Sequence, residues 1–169
     1  IFERDLRTDQ LAEWVSAMVE TGAFDPYEFE IELTENIVFA RLDRARAMLD
    51  RLKGLGVKIA VDDFGAGYAT LRQIADFPID TIKIDRSFIR DIVRGGEHEA
   101  IVAGIVEIAE RLGVEVIVEG VETDDQIEIL RRLGCRVYQG WYYSRAVPIA
   151  ELAGVITRGF PRAGELEAT

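Results

Sequence analysis

Val57-Lys58-Ile59-Ala60-Val61-Asp62-Asp63-Phe64-Gly65-Ala66-Gly67-Tyr68 is the stretch on which the fold turns. A short apolar run leads straight into two carboxylates and then into a glycine-rich turn. Glycine reaches backbone conformations closed to other residues, so such a turn can join a strand to a helix tightly beside a ligand. A lone Gly-x-Gly carries little weight. Its place directly after paired aspartates gives it meaning.

Working outward, apolar runs at 28–34, 57–61, 80–84, 114–118 and 136–139 predict strands. Helical patterns lie between them. Thr8 is placed to cap a helix over 9–21 that stops at Gly22. A helix over 38–53 ends at Gly54 and Gly56. A shorter one follows Gly67 and stops before Pro78. Two helices fill 86–112, broken at Gly95-Gly96 and closed by Gly113. Thr123 caps a helix that ends at Gly134, and Pro148 opens a last one at its first turn. The tail from 158 is polar and frays. Strand–helix alternation of this kind implies an α/β fold with a parallel sheet covered by helices.

The strand ends carry the chemistry. Asp62-Asp63 follow one run, Lys83 sits inside Thr81-Ile82-Lys83-Ile84-Asp85, Glu119 closes Val116-Ile117-Val118, and Gln139 closes Val137-Tyr138. Alternation puts Glu30, Glu32 and Thr34 on one face of their strand and Phe29, Ile31 and Leu33 on the other. In parallel α/β folds ligands sit at the carboxyl ends of the strands. Singly, each acid has an ordinary explanation: Glu30 as a wet strand face, Asp62-Asp63 as a loop start, Lys83 as a partner for a nearby acid. Acids or a lysine at four successive strand ends are harder to explain as surface chemistry. Converging carboxylates call for cations, and hard oxygen donors select Mg2+ or Mn2+.

Composition narrows the alternatives. The chain has 169 residues, 31 acidic against 20 basic, and a net charge of −11. That argues against a nucleic-acid polymer or an anionic membrane as partner. Hydrophobic residues make up 49%, enough for a core. One cysteine, Cys135, excludes an internal disulfide, and one histidine, His98, leaves little for a Ser-His-Asp triad or a histidine-rich zinc site. No stretch approaches the roughly 18 apolar residues of a membrane span.

Glu32-Leu33-Thr34-Glu35, Asp62-Asp63-Phe64-Gly65-Ala66-Gly67-Tyr68, Lys83-Ile84-Asp85, Glu119-Gly120-Val121-Glu122 and Gln139-Gly140 occur in the order and spacing of the EAL domain, and the chain resembles that family of bacterial cyclic di-GMP phosphodiesterases over about residues 8 to 157. The resemblance implies a modified (β/α)8 TIM-type barrel and hydrolysis of cyclic di-GMP to linear pGpG, with two Mg2+ or Mn2+ ions bridging phosphate and water. Glu32, Asp62, Asp63 and Glu119 then match metal-site carboxylates, with Asp62 shared between the ions. Lys83 resembles the lysine that positions the attacking water, and Gln139 the residue that supports the water and metal network. Glu35 resembles the anchor of the loop carrying Gly65 and Gly67, and Glu122 a second-layer or substrate-side acid. A homodimer, an attached sensory or cyclase domain, and a cytoplasmic place in a bacterium, with the parent membrane-tethered or not, are implied in the same way.

There are departures. Ala66, Ala69 and Thr70 stand where the family usually has Thr, Ser and Ser, and Ala146 where it commonly has Pro. The Glu-Ala-Leu signature and the Asn-bearing strand, both metal-ligand sources in the family, are not found. The expectation is therefore a phosphodiesterase domain over 1–157 that lacks its first strands, followed by a tail over 158–169. A barrel of this type typically needs about 250 residues. Such a piece alone is expected to hydrolyse cyclic di-GMP poorly. The alternative is an inactive EAL-like receptor or protein-interaction module. An unrelated metal-dependent barrel enzyme of enolase type fits less well, since the lysine, paired aspartates and glycine loop follow the phosphodiesterase order.

Overall fold

The computed structural model describes residues 8–35, 42–65 and 77–159. Strands and helices alternate along the chain: α1 (Gln10–Glu20), a 3-10 turn (Pro26–Glu28), β1 (Glu30–Thr34), α2 (Leu42–Gly54), β2 (Lys58–Phe64), β3 (Thr81–Ile84), α3 (Arg86–Arg90), α4 (Glu97–Leu112), β4 (Glu115–Glu119), α5 (Asp124–Arg132), β5 (Val137–Gln139) and α6 (Ile149–Arg158). The α/β class expected from the alternation is what is found. The chain divides into two compact units, one of residues 1–83 with 109–115, the other of 84–108 with 116–169.

In the first unit β1 and β2 pair in parallel, with Glu32 opposite Ala60 and Thr34 opposite Asp62. β2 lies between β1 and β3. Ile31 and Leu33 are buried, whereas Glu32 on the opposite face is exposed, as period-two alternation requires. Ile59 and Val61 of β2 and Leu49 and Leu52 of α2 complete the core. Asp80 locks the entry to β3: its carboxylate accepts the Ile59 N–H at 2.8 Å and pairs with Lys53, while its own N–H donates to Ile59 O at 2.9 Å.

In the second unit β4 and β5 pair in parallel, with Glu119 opposite Gln139. Thr123 begins α5 with a capping box, as its sequence signals. Gln126 does more than cap. Its Oε1 accepts the N–H groups of Glu122 at 2.7 Å and Thr123 at 3.1 Å, and its buried Nε2 donates to Ile89 O at 2.9 Å. The loop after β4 is thereby fixed to α5 and to the end of α3.

The structure moves several expected boundaries. Residue 28 does not begin β1: Asp25 accepts the Tyr27 N–H and Pro26 sits at the first position, so 26–28 coil into a 3-10 turn. β2 does not stop at Val61 but carries Asp62, Asp63 and Phe64 in its ladder. Residues 57, 114 and 136 stay outside β2, β4 and β5. Asp9, not Thr8, holds the N-cap of α1, with no side-chain cap bond. Pro148 is the N-cap of α6, one residue before its first turn. The start of the helix expected over 38–53, the helix after Gly67, and most of the tail over 158–169 lie outside the described residues.

Gly140 marks the tightest backbone approach. A Cβ there would lie 2.1 Å from Val121 O and 2.3 Å from Val121 N. Val121 donates its N–H to Gln139 O at 3.2 Å and accepts from Tyr142 N at 2.9 Å, so the loops after β4 and β5 are stitched through this point. Gly140→Ala must push them apart, at a cost of about 1–3 kcal/mol. The expected result is a thermal midpoint lower by roughly 2–10 °C, read by differential scanning calorimetry.

Cys135 is buried, and burial pushes its thiol up to about 11. The thiolate is the reactive form. At pH 8 the native protein is expected to react with iodoacetamide about two orders of magnitude more slowly than the urea-unfolded chain. Because the folded state holds this proton more tightly, the associated stability is present below the unfolded thiol's range and is lost as pH rises toward 11.

Candidate functional site

In the first unit the polar face of the sheet becomes a charged cluster. β1 presents Glu30 and Glu32, and β3 presents Thr81 and Lys83 with the same two-residue spacing. β2 between them offers Ala60, fully buried, and then Asp62. The small Ala60 leaves room above the strand. Lys83 therefore spans the roughly 9.6 Å between β1 and β3 and sets Nζ 2.8 Å from Glu32 Oε1. One step behind, Thr81 Oγ1 donates to Glu30 Oε2 at 3.1 Å. Lys83 Nζ also lies 3.4 Å from Asp62 Oδ1. Its side chain is only 8% exposed, against 25% for Asp62 and 48% for Glu32. A nearly buried ammonium is tolerated because two carboxylates face it.

Asp62 Oδ1 is buried and, among the described residues, has no hydrogen-bond partner. A carboxylate oxygen in that condition is costly unless a cation meets it. Lys83 at 3.4 Å supplies charge but lies beyond a good charge-assisted hydrogen bond. An oxygen donor of this kind suits a hard divalent ion, so the residues present fit the expected Mg2+ or Mn2+.

Asp63 follows with φ 54, the one described non-glycine residue in the left-handed region. Aspartate tolerates this conformation better than most side chains, and non-glycine residues held there cluster at functional sites. Gly65 has φ 94 and donates its N–H to Glu35 Oε2 at 2.9 Å. Glu35 is buried and thus ties the chain just after Asp63 back to the end of β1. Gly67 lies outside the described residues.

In the second unit Glu119 and Gln139 end adjacent parallel strands and line a cavity of about 430 Å3, together with Glu122. Sequence reasoning did not single out three large side chains of that wall, Arg86, Trp141 and Arg145. Their signal was adjacency. Arg86 follows Lys83-Ile84-Asp85, and Trp141 follows Gln139-Gly140. Gly120, with φ 72, lets Arg86 approach: a Cβ there would stand 2.4 Å from Arg86 Cβ.

Comparison with known proteins gives these placements a context. The EAL domain family model matches residues 1–146. The cyclic di-GMP phosphodiesterase NbdA of Pseudomonas aeruginosa is 40% identical over 123 residues, 73% of this chain and 16% of that protein. The oxygen sensor protein DosP of Escherichia coli is 33% identical over 155 residues, 92% of this chain and 19% of that protein. The chain spans about a fifth of the length of the curated relatives it matches. Among solved structures, the PaMucR phosphodiesterase in complex with c-di-GMP aligns with a TM-score of 0.84 at 32% identity, over 90% of this chain and 68% of that one. Klebsiella pneumoniae BlrP1, in a manganese and cyclic di-GMP complex, aligns with a TM-score of 0.73 at 39% identity, over 79% of this chain and 34% of that one.

Proposed function

The chain belongs to the EAL domain family, and on that premise we propose that it hydrolyses one phosphodiester bond of cyclic di-GMP to give linear pGpG, with the help of two divalent cations, Mg2+ or Mn2+. The observation that carries this reading is the buried Asp62 Oδ1, without a hydrogen-bond partner among the described residues, beside the Lys83–Glu32 ion pair. NbdA, PaMucR and BlrP1, whose names speak of phosphodiesterase activity or cyclic di-GMP, support the substrate.

By motif match, Glu32, Asp62, Asp63 and Glu119 hold the cations. When bound, these ions lower the pKa of water and neutralise charge on the phosphate. Lys83 keeps a positive donor in place, steadied by Glu32 at 2.8 Å, so little reorganisation is needed as negative charge develops at the reacting phosphate. Its three protons also let it orient the attacking water. Glu35 holds the Asp63–Gly65 corner through the Gly65 N–H. Gln139, opposite Glu119, supports the polar network at the end of β5. Glu122 faces the substrate.

The DosP relative, an oxygen sensor by name, supports an attached sensory domain in the parent protein. A homodimer is proposed from the family resemblance. Among the described residues no helix is long and apolar enough to cross a membrane. We place the domain in the bacterial cytoplasm, where a nucleotide messenger is made and destroyed.

The test is incubation of the parent protein with cyclic di-GMP and Mn2+, followed by chromatography, with this chain alone run beside it and expected to turn over poorly. pGpG is the expected product, and EDTA is expected to stop its formation. Tight binding without product would favour the receptor reading instead.

A further inference from the structure

The charged face of the first unit has a second layer that takes no part in holding cations. Glu30 and Thr81 sit one strand repeat behind Glu32 and Lys83. The hydroxyl of Thr81, a residue only 2% exposed, donates to Glu30 Oε2 at 3.1 Å. Among the described residues this neutral hydroxyl is the side-chain partner of Glu30. A half-buried carboxylate that receives only a neutral donor keeps its full charge and its attraction for a cation.

Two lysines bear on Glu30. Lys58 stands opposite it in the β1–β2 ladder, yet Lys58 is exposed and, among the described residues, forms no ion pair with it. Its four-carbon stem leaves the ammonium in water. The Lys83 side chain, by contrast, is only 8% exposed, and its ammonium meets Glu32 at 2.8 Å and Asp62 at 3.4 Å. The side chains of Glu32 and Glu30 leave the same face of β1 two residues apart, about 6.7 Å along the strand. A flexible lysine stem can shift between them. Ala60, the small residue of β2 on this face, blocks neither path. Lys83 thus has two acidic partners within reach on β1, and burial strengthens its attraction to both.

We propose that Thr81 is a positioning residue: by occupying Glu30 Oε2 it leaves the Lys83 ammonium to Glu32 and Asp62, at the carboxyl ends of the strands. With the hydroxyl gone, Glu30 draws the ammonium down the sheet face, away from the reacting phosphate and from the cation-binding carboxylates. Turnover then falls, while the carboxylates, less neutralised, hold a divalent ion more tightly. A hydroxyl that merely tied β1 to β3 would give a different pair of effects, since its loss would loosen the carboxylates and weaken their hold on the ion. For its effect on turnover the inference rests on the phosphodiesterase reading above.

Steady-state kinetics and Mn2+ titration calorimetry on the parent protein test it. Thr81→Val keeps the branched shape and removes the hydroxyl. It is expected to lower kcat about 10- to 100-fold, the cost of slightly misplacing a reacting group, with KM within about twofold. Mn2+ should bind at least about threefold tighter. Thr81→Ser keeps the hydroxyl and should retain the unaltered values. Glu30→Gln alone should change little. Added to Thr81→Val, it should restore kcat to within about threefold of the unaltered protein, because an amide does not attract the ammonium. Thr81→Ala carries the same expectations as Thr81→Val if the valine variant does not fold. Unchanged kcat in the variants without the hydroxyl, unchanged or weaker Mn2+ binding, or a double variant no better than Thr81→Val overturns the positioning role while the phosphodiesterase reading stands. If the unaltered protein binds Mn2+ but makes no pGpG, that reading fails, and the Mn2+ titrations alone decide the role of Thr81: tighter binding by Thr81→Val keeps it, and unchanged or weaker binding removes it. If the unaltered protein binds no Mn2+, both are wrong.

Discussion

In the parent protein, Asp62→Asn is expected to abolish cyclic di-GMP hydrolysis while leaving the fold intact. The substitution preserves shape but removes the negative charge of Asp62, whose buried Oδ1 lacks a hydrogen-bond partner among the described residues. An amide is a far poorer donor to a hard cation than a carboxylate. A fall of at least about three orders of magnitude in turnover, about 4 kcal/mol of transition-state stabilisation, is the expected size. Stability should barely move. Lys83 keeps Glu32 as a partner at 2.8 Å, and the loss of one negative charge relieves repulsion between Asp62 and Glu32. The melting midpoint should stay within about 2 °C of the parent. Turnover by chromatography and a melt on the same sample decide it. Near-normal turnover with a normal melt would remove Asp62 from the site.

The cluster around Asp62 also shows where sequence reasoning stops. Period-two alternation placed Glu30 and Glu32 on one face, and the structure agrees, because a strand has only two faces and Ile31 and Leu33 claim the buried one. Alternation says nothing of reach across strands. That Lys83 crosses β2 to Glu32 depends on Ala60 being small and on the sheet order placing β2 between β1 and β3. Neither is local. The unsatisfied state of Asp62 Oδ1 is likewise a property of its packed surroundings.

Boundaries failed where local chemistry competed with the apolar pattern. Residue 28 looked like the entry to a strand, but Asp25 and Pro26 favour a turn and leave Glu28 in it. The charges at 62 and 63 looked like a loop start, but the ladder runs on through Phe64, which is buried. The Thr123 cap was legible because its box partner Gln126 lies three residues on. The second task of Gln126, at Ile89, was not. The cavity wall of Arg86, Trp141 and Arg145 was missed because a residue beside a motif and a residue outside it look alike until the chain folds.

Lys83→Met is expected to separate cation binding from turnover. The substitution keeps the length of the stem and removes the ammonium from between Glu32 and Asp62. Turnover should fall about 100- to 1,000-fold, the usual loss when a preorganised donor to developing charge is removed. Cation affinity should move the other way. In the unaltered protein Lys83 Nζ, at 2.8 Å from Glu32 and 3.4 Å from Asp62, already neutralises part of the charge that would attract a divalent ion. Without it the carboxylates attract the ion more strongly, and Mn2+ should bind several-fold tighter by titration calorimetry, since each 1.4 kcal/mol is tenfold. The apo protein should lose some stability, because two neighbouring carboxylates are left without their cation. Glu32 is 48% exposed, so solvent screening limits that loss. Mn2+ should restore more stability to the variant than to the parent, by the linkage between binding and folding. Weaker Mn2+ binding by the variant would mean that Lys83 orders the carboxylates for the ion and does not compete with it. Unchanged turnover would take Lys83 out of the reaction altogether.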